Sequence, residues 1–389
     1  MAKPSSHGAA WVPIGAFAAV GAVTQLLWLT YAPVTSDAAA RYHVSEGAIG
    51  WLANVFPLWY VLLALPAGLA LDRWLRSTVV LGAAFAAAGA LIRITSHDYL
   101  VALLGQTLVA IAQPLVLTAI TPMAARYLST KDRPKGIAVA SASTFAGMIV
   151  AFLLSTTLSL AHVLVVDAAV AVLTTAVLAV ALRTPPSYAP ETPAGGRADF
   201  VRAWRNPVVR RMCLLVPIPF GAFTALTTWA QPLLKPAGVT QGDAGILLLV
   251  NVAAGVIGCA VLPVWAASRQ RQRPVMLTGI LVAVVCCAVL AVAPSMGVGV
   301  VCFMAIGALL LPALPIVLEL SEAAAGSAAG AAAGLVWCAG QVGALVVTGV
   351  DGALLHHSTW AFLLLAMITL AAIPALPRGP HPHPAPAAA

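Results

Sequence analysis

Apolar residues come in long runs along this chain, each closed by a short polar or basic connection. A helix needs about 20 apolar residues to cross the hydrocarbon of a bilayer. Twelve runs reach that length: about 11–34, 48–71, 77–95, 99–124, 135–159, 162–182, 208–234, 243–267, 275–293, 296–320, 327–350 and 358–376. The pattern predicts an all-α membrane protein with twelve transmembrane helices.

Four of these runs are not uniformly apolar. Gly21, Thr24, Trp28, Tyr31 and Thr35 recur at three and four residues, so they share one face of the first span. Span 4 repeats the pattern with Gln106, Ala110, Gln113 and Thr121, and span 7 with Phe220, Thr224, Thr227 and Gln231. Span 11 carries Gly330, Gly334, Trp337, Gln341 and Thr348. Two readings stand side by side. Small residues and amides are common helix–helix contacts in membranes, and Trp28 and Tyr31 also suit an interfacial aromatic belt. Spread over two helices from each half, the same side chains would line a central solute site.

Composition agrees with a bilayer environment. Hydrophobic residues make up 61% of the 389 and charged ones only 8%, with a mean hydropathy of +0.98, where a soluble chain carries about a quarter of its residues charged. The six cysteines all lie in apolar runs, where they act as small hydrophobes rather than as a disulfide framework. The N-terminal MAKPSSHGAAWVPIG opens a long Gly-rich run without a clean small-x-small cleavage site, so a retained first helix is expected.

Seventeen of the 20 lysines and arginines fall on one set of connections, and only Arg41, Arg93 and Lys235 on the other. The positive-inside rule then places both termini and the even-numbered loops in the cytoplasm of a multi-pass cell (inner) membrane protein. The formal charge of +8 is explained by an anionic inner leaflet, with no nucleic-acid partner.

The longest polar connection, 183–207, is Pro/Gly-rich and then arginine-rich, and divides the spans six from six. Within it Phe200, Val201 and Trp204 are expected to face the membrane surface. The expected domains are a six-helix bundle over 1–182, a cytoplasmic linker over 183–207, a second bundle over 208–376 and a disordered tail over 377–389. Ala112-Gln113-Pro114-Leu115 is echoed by Ala230-Gln231-Pro232-Leu233, and spans 1, 4, 7 and 10 all carry proline (Pro33, Pro114, Pro217 and Pro312). Proline frees backbone carbonyls and bends helices, which is tolerated beside a wet cavity. Two pseudo-symmetric bundles around a midplane site is the plan of a secondary transporter.

The loop after span 2, GLALDRWLR, resembles the G-x-x-x-D-R-x-G-R signature of the major facilitator superfamily, with Leu75 in place of the second glycine. The resemblance implies a charge latch formed by Asp72, Arg73 and Arg76 that favours the outward-facing state. Other charges are scarce. Arg93, Asp351, Glu319 and Glu322 sit near span ends and are expected to snorkel, leaving Asp167 as the buried acid and the candidate coupling residue. Span 4 has no arginine in Leu103-Leu104-Gly105-Gln106 and span 5 no Gly-Pro pair in SASTFAGM, which disfavours a proton-coupled drug antiporter.

Within the superfamily, the chain is similar to the feline leukaemia virus subgroup C receptor family. The matching pieces include Trp28-x-x-Tyr31, Tyr42-x-Val44, Ile49-x-Trp51-Leu52, Ala112-Gln113, Gly221-Ala222-Phe223 and Ala339-Gly340-Gln341. The resemblance implies a facilitator of a choline-like cation, held against Trp28 with Gln113 and Gln341 nearby. Thr224 stands where that family places a second aromatic wall. Substrate contacts are therefore expected from Trp28, Tyr31, Gln106, Gln113, Thr224, Trp337 and Gln341. Proton-driven export of a lipophilic metabolite or drug is the alternative, and a non-transporting receptor or scaffold is the alternative of another class. No metal-spaced His/Cys cluster, phosphate loop or nucleophile–base pair appears, so neither an enzyme nor a cofactor or metal ligand is expected; His381-x-His383 is too slight a pair to hold one. The expected partners are a small-molecule solute and membrane lipids, and the expected state is a monomer.

Overall fold

The computed structural model describes residues 7–188 and 197–377. Residues 189–196 of the linker and the tail from Arg378 onward, with His381 and His383, lie outside the described residues, as does Lys3. The described residues are helical and hold no strand. The first half comprises α1 (His7–Leu29), α2 (Thr35–Tyr42), α3 (Glu46–Arg93), α4 (Tyr99–Leu117), α5 (Ile120–Tyr127), α6 (Arg133–Thr157) and α7 (Leu160–Ala181). The second comprises α8 (Arg197–Arg205), α9 (Pro207–Leu215), α10 (Pro217–Leu234), α11 (Gln241–Ser268), α12 (Gln272–Val292), α13 (Met296–Leu310), α14 (Ala313–Ala325), α15 (Ala329–Gly352) and α16 (Ser358–Leu370).

Ten helical stretches among the described residues are long and apolar enough to cross a membrane. Two of them, Glu46–Arg93 and Met296–Gly352, hold 48 and 57 residues. At 1.5 Å per residue even the shorter would be about 72 Å long, against a hydrocarbon core of about 30 Å. Both are interrupted. Trp74 has φ −135° and ψ 49°, and Thr78 Oγ1 donates to the carbonyl of Ala70, eight residues back, at 3.2 Å. A straight helix would separate those residues by about 12 Å along its axis, so α3 turns back on itself there. Met296–Gly352 is broken at Leu311–Pro312 and again at Gly326, where φ is +54°.

The predicted proline bends are breaks in the helices. The first span ends at Leu29 and restarts after a 3-10 turn containing Pro33. The fourth parts between α4 and α5, a turn beyond Pro114. The seventh parts just before Pro217, and the tenth at Pro312. Each break leaves carbonyls without the amide partner that a continuous helix supplies, and the one at Leu27 helps to build the candidate site.

Small residues let the helices approach, as membrane packing favours. A Cβ on Gly89 of α3 would strike the carbonyl of Gly105 in α4, and one on Gly105 would strike that of Gly89. Between the halves, α6 packs on α11 and α3 on α15. In α8, Val201 and Trp204 are exposed as expected, but Phe200 is half-buried and turned toward Gly334 of α15.

Candidate functional site

The break at the end of α1 organises the first half. The helix stops at Leu29, short of Tyr31, whose amide would close on the Leu27 carbonyl in a continuous helix. Arg93 Nη1 and Gln106 Nε2 donate to it at 3.3 and 3.1 Å. Arg93 also donates to Gln106 Oε1 at 2.8 Å and, through Nη2, to Asp167 Oδ2 at 3.0 Å. Thr30 Oγ1 donates to the same carboxylate oxygen at 2.6 Å. Arg93 and Asp167 are both 0% exposed. The expectation that Arg93 snorkels to an interface is thereby corrected: the orphaned carbonyl and the carboxylate draw it inward. Gln106 has both amide atoms engaged in this network. Tyr31 sits beside it, its ring 5.8 Å from the Arg93 guanidinium carbon and its hydroxyl 3.2 Å from that of Tyr42.

A second group comprises aromatic and amide side chains of both halves, joined by the contact of Tyr60 with Trp337. Trp28 Nε1 donates to the carbonyl of Ala53 at 3.3 Å, and its ring tilts against Phe56 at 6.1 Å. One turn beyond Phe56 in α3, Tyr60 meets Trp337 of α15 at 6.5 Å between ring centroids. Phe220 of α10 meets Trp337 edge-on, at 6.1 Å and 82°. Gln113 and Gln341 are buried to within 3% and 7%, and their amides make no hydrogen bond among the described residues. Neither amide is among the polar atoms shut off from solvent, so both keep open surface on which a hydrogen bond can form. Thr224 donates its hydroxyl to the carbonyl of Phe220 at 2.8 Å and has none to offer.

Trp28, Gln113 and Gln341 are thus buried and Trp337 is half-buried, while Tyr31 and Gln106 belong to the Arg93 network. Tyr60 escaped the sequence reading. The one available signal was its hydroxyl in the apolar run VFPLWYVLLALPAG.

One end of this seam is closed. Lys235 Nζ donates to Glu46 Oε1 and Ser36 Oγ, both at 3.1 Å, and Ser36 Oγ donates to the same Glu46 oxygen. The Ser36 backbone donates to Gln231 Oε1 at 3.1 Å. Just below, the buried indole of Trp229 is anchored by Nε1 to the carbonyl of Thr348 at 2.9 Å and presses on Gly50, where a Cβ would overlap the ring. At the far end Asp72 and Arg73 are exposed, Arg73 lies 5.2 Å over the Trp74 ring, and no ion pair joins Asp72, Arg73 or Arg76 to another described residue.

Asp351 is a further correction. Expected to snorkel from the end of span 11, it is 0% exposed, and neither carboxyl oxygen has a hydrogen-bond partner. The hydroxyl of Thr348, one turn away, is equally bare. The Trp229 indole packs against Gly352, the residue after Asp351, where a Cβ would meet the ring.

The profile of the Major Facilitator Superfamily matches residues 16–348. The chain is 27% identical over 362 residues to solute carrier family 49 member A3 of Danio rerio, covering 85% of this chain and 76% of that one. It is 24% identical over 374 residues to the choline/ethanolamine transporter FLVCR1 of Felis catus, covering 87% of this chain and 66% of that one. Among solved structures, a bacterial homolog of the human lysosomal transporter Spinster, inward-facing and unoccupied, superposes with a TM-score of 0.74 at 15% identity, over 96% of this chain and 95% of that one.

Proposed function

The chain belongs to the Major Facilitator Superfamily, whose members here are transporters and not enzymes, and we propose that it is a facilitative carrier of a small organic solute of the choline-like cation class. In this reading Glu46–Arg93 and Met296–Gly352 each cross the bilayer twice, giving twelve crossings in two six-helix bundles over residues 1–182 and 208–376. Termini and linker lie on the cytoplasmic side of the cell membrane, and the monomer is the working unit. The bundles rock about the seam, and the state described is inward-facing, shut at the Lys235 end with the Asp72, Arg73 and Arg76 latch released.

The observation that carries the substrate class is the bracketing of Trp337 by Tyr60 from one half and Phe220 from the other. An indole face attracts a desolvated cation by about 0.5–2 kcal/mol. The unpaired amides of Gln113 and Gln341 supply acceptors for a hydroxyl or ammonium without fixing a charge. Aromatic walls for the position held by Thr224 thus come from elsewhere in the fold. Radiolabelled choline uptake into proteoliposomes tests this: saturable uptake by the wild type should be lost in Trp28→Ala at equal reconstitution. Unchanged uptake in the variant overturns the cation site.

Asp351 favours a second reading, proton-driven export of a lipophilic metabolite or drug. Asp167 is already compensated by Arg93, whereas Asp351 has no counter-charge and suits a proton carried across. A protonophore separates the two. Facilitated uptake continues when the proton gradient collapses, in the wild type and in Asp351→Asn alike, whereas coupled transport stops.

A further inference from the structure

A groove of about 700 Å³ opens at the Arg73 end, on the outer flank of the first half and away from the seam. Its upper wall holds three guanidiniums, Arg73, Arg76 and Arg126, and its floor is formed by Val80, Leu81, Ala84 and Leu182. No acid lines it, and none of the three arginines is paired with a carboxylate among the described residues. Arg126 Nε is shut off from solvent and has no hydrogen-bond partner. Guanidinium donors in a buried position are ordinarily paired, and a bidentate oxyanion is the ligand their fork geometry fits best.

The order of the lining residues matters as much as their charge. Ser77, Val80, Leu81 and Ala84 follow one another at helical spacing beyond the kink at Trp74, so the groove turns from basic to apolar within about two turns, about 10 Å. Leu81 and Ala84 are exposed in it, a surface that acyl chains cover in a bilayer. The kink turns the Trp74 indole outward, where it is 59% exposed and backs the Arg73 guanidinium.

We propose that this groove binds one anionic glycerophospholipid from the leaflet at the Arg73 end, its phosphate between Arg73, Arg76 and Arg126 and an acyl chain along Val80, Leu81 and Ala84. The orientation proposed above makes that leaflet the cytoplasmic one, where anionic lipids attract basic residues. In the released state of the latch, the lipid takes the guanidiniums that the latch would otherwise engage.

Native mass spectrometry of the purified full-length protein tests the assignment, with phosphatidylglycerol and phosphatidylcholine of identical chains as probes. The wild type should retain one phosphatidylglycerol in preference to phosphatidylcholine. Arg126→Gln should weaken that retention about fivefold, the loss of one guanidinium near an anionic headgroup. Ala84→Trp, which fills the apolar floor and keeps every arginine, should weaken it as well. Arg269→Gln, a basic residue of the second half outside the groove, should not. Equal retention of both lipids overturns the proposal, and so does an Arg269→Gln effect equal to that of Arg126→Gln. If Ala84→Trp retains phosphatidylglycerol like the wild type, the arginines hold a phosphate without a seated chain, and the proposal fails. Elution volume and melting temperature, read on each variant, separate lost folding from lost binding.

Discussion

Arg93 and Asp167 face each other at 3.0 Å inside the first half, and neither side chain reaches solvent. The pair joins α3 to α7, and through Thr30 and the Leu27 carbonyl it holds the broken end of α1 in place. Removing one partner leaves the other charged, buried and alone, which costs about 3–5 kcal/mol. Asp167→Asn and Arg93→Met should each lower the melting temperature of the purified protein. An Arg93→Met/Asp167→Leu double variant should recover part of the loss. Two single variants that melt like the wild type would show that the pair contributes nothing.

The contact of Gly50 with Trp229 predicts a different kind of defect. A methyl on Gly50 cannot enter while the indole stays tied to the Thr348 carbonyl, and overpacking of this kind costs about 1–3 kcal/mol. Because the contact joins the halves only where they are shut, Gly50→Ala should spread that end. Spin labels at Asp37 and Pro236, in a background without cysteines, should report a longer mean distance in Gly50→Ala. Trp229→Ala should reverse the shift by making room. A distance unchanged by Gly50→Ala is the contrary result.

Around the seam, the prediction concerns affinity. Trp337→Ala removes the ring between Tyr60 and Phe220, and a desolvated cation–π contact of up to about 2 kcal/mol corresponds to about a 30-fold loss. The KM for choline uptake should rise by up to that factor, with expression unchanged. Gln106→Leu should instead lower the melting temperature, because both amide atoms of Gln106 serve Arg93 and Leu27. A KM shift without destabilisation in Gln106→Leu would place that residue at the solute after all.

Much of this architecture could be read along the chain, because lipid leaves few options. Apolar runs marked the helices, and the prolines of spans 1, 4, 7 and 10 marked where they break. Trp28, Gln113 and Gln341 were visible as polar positions on striped faces, and all three are inside. What periodicity does not carry is pairing between distant helices. Arg93 lay at the end of a span, where charges usually escape to water, and only the fold brings it to Asp167 and the Leu27 carbonyl. Asp351 was misplaced for the same reason, since its burial depends on how neighbouring helices pack around the end of its own span. Tyr60 had no polar neighbour at helical spacing, so its meeting with Trp337 depends on how α3 packs against α15.

The bridge between Lys235 and Glu46 sits on the rim, with the lysine side chain 57% exposed. Ions in the surrounding fluid weaken such a contact, since a Debye length of about 8 Å at physiological salt falls to about 3 Å at 1 M. The medium bathing that mouth thus acts on the carrier directly: brine loosens it and fresh water tightens it, by at most the ~1 kcal/mol that an exposed pair contributes.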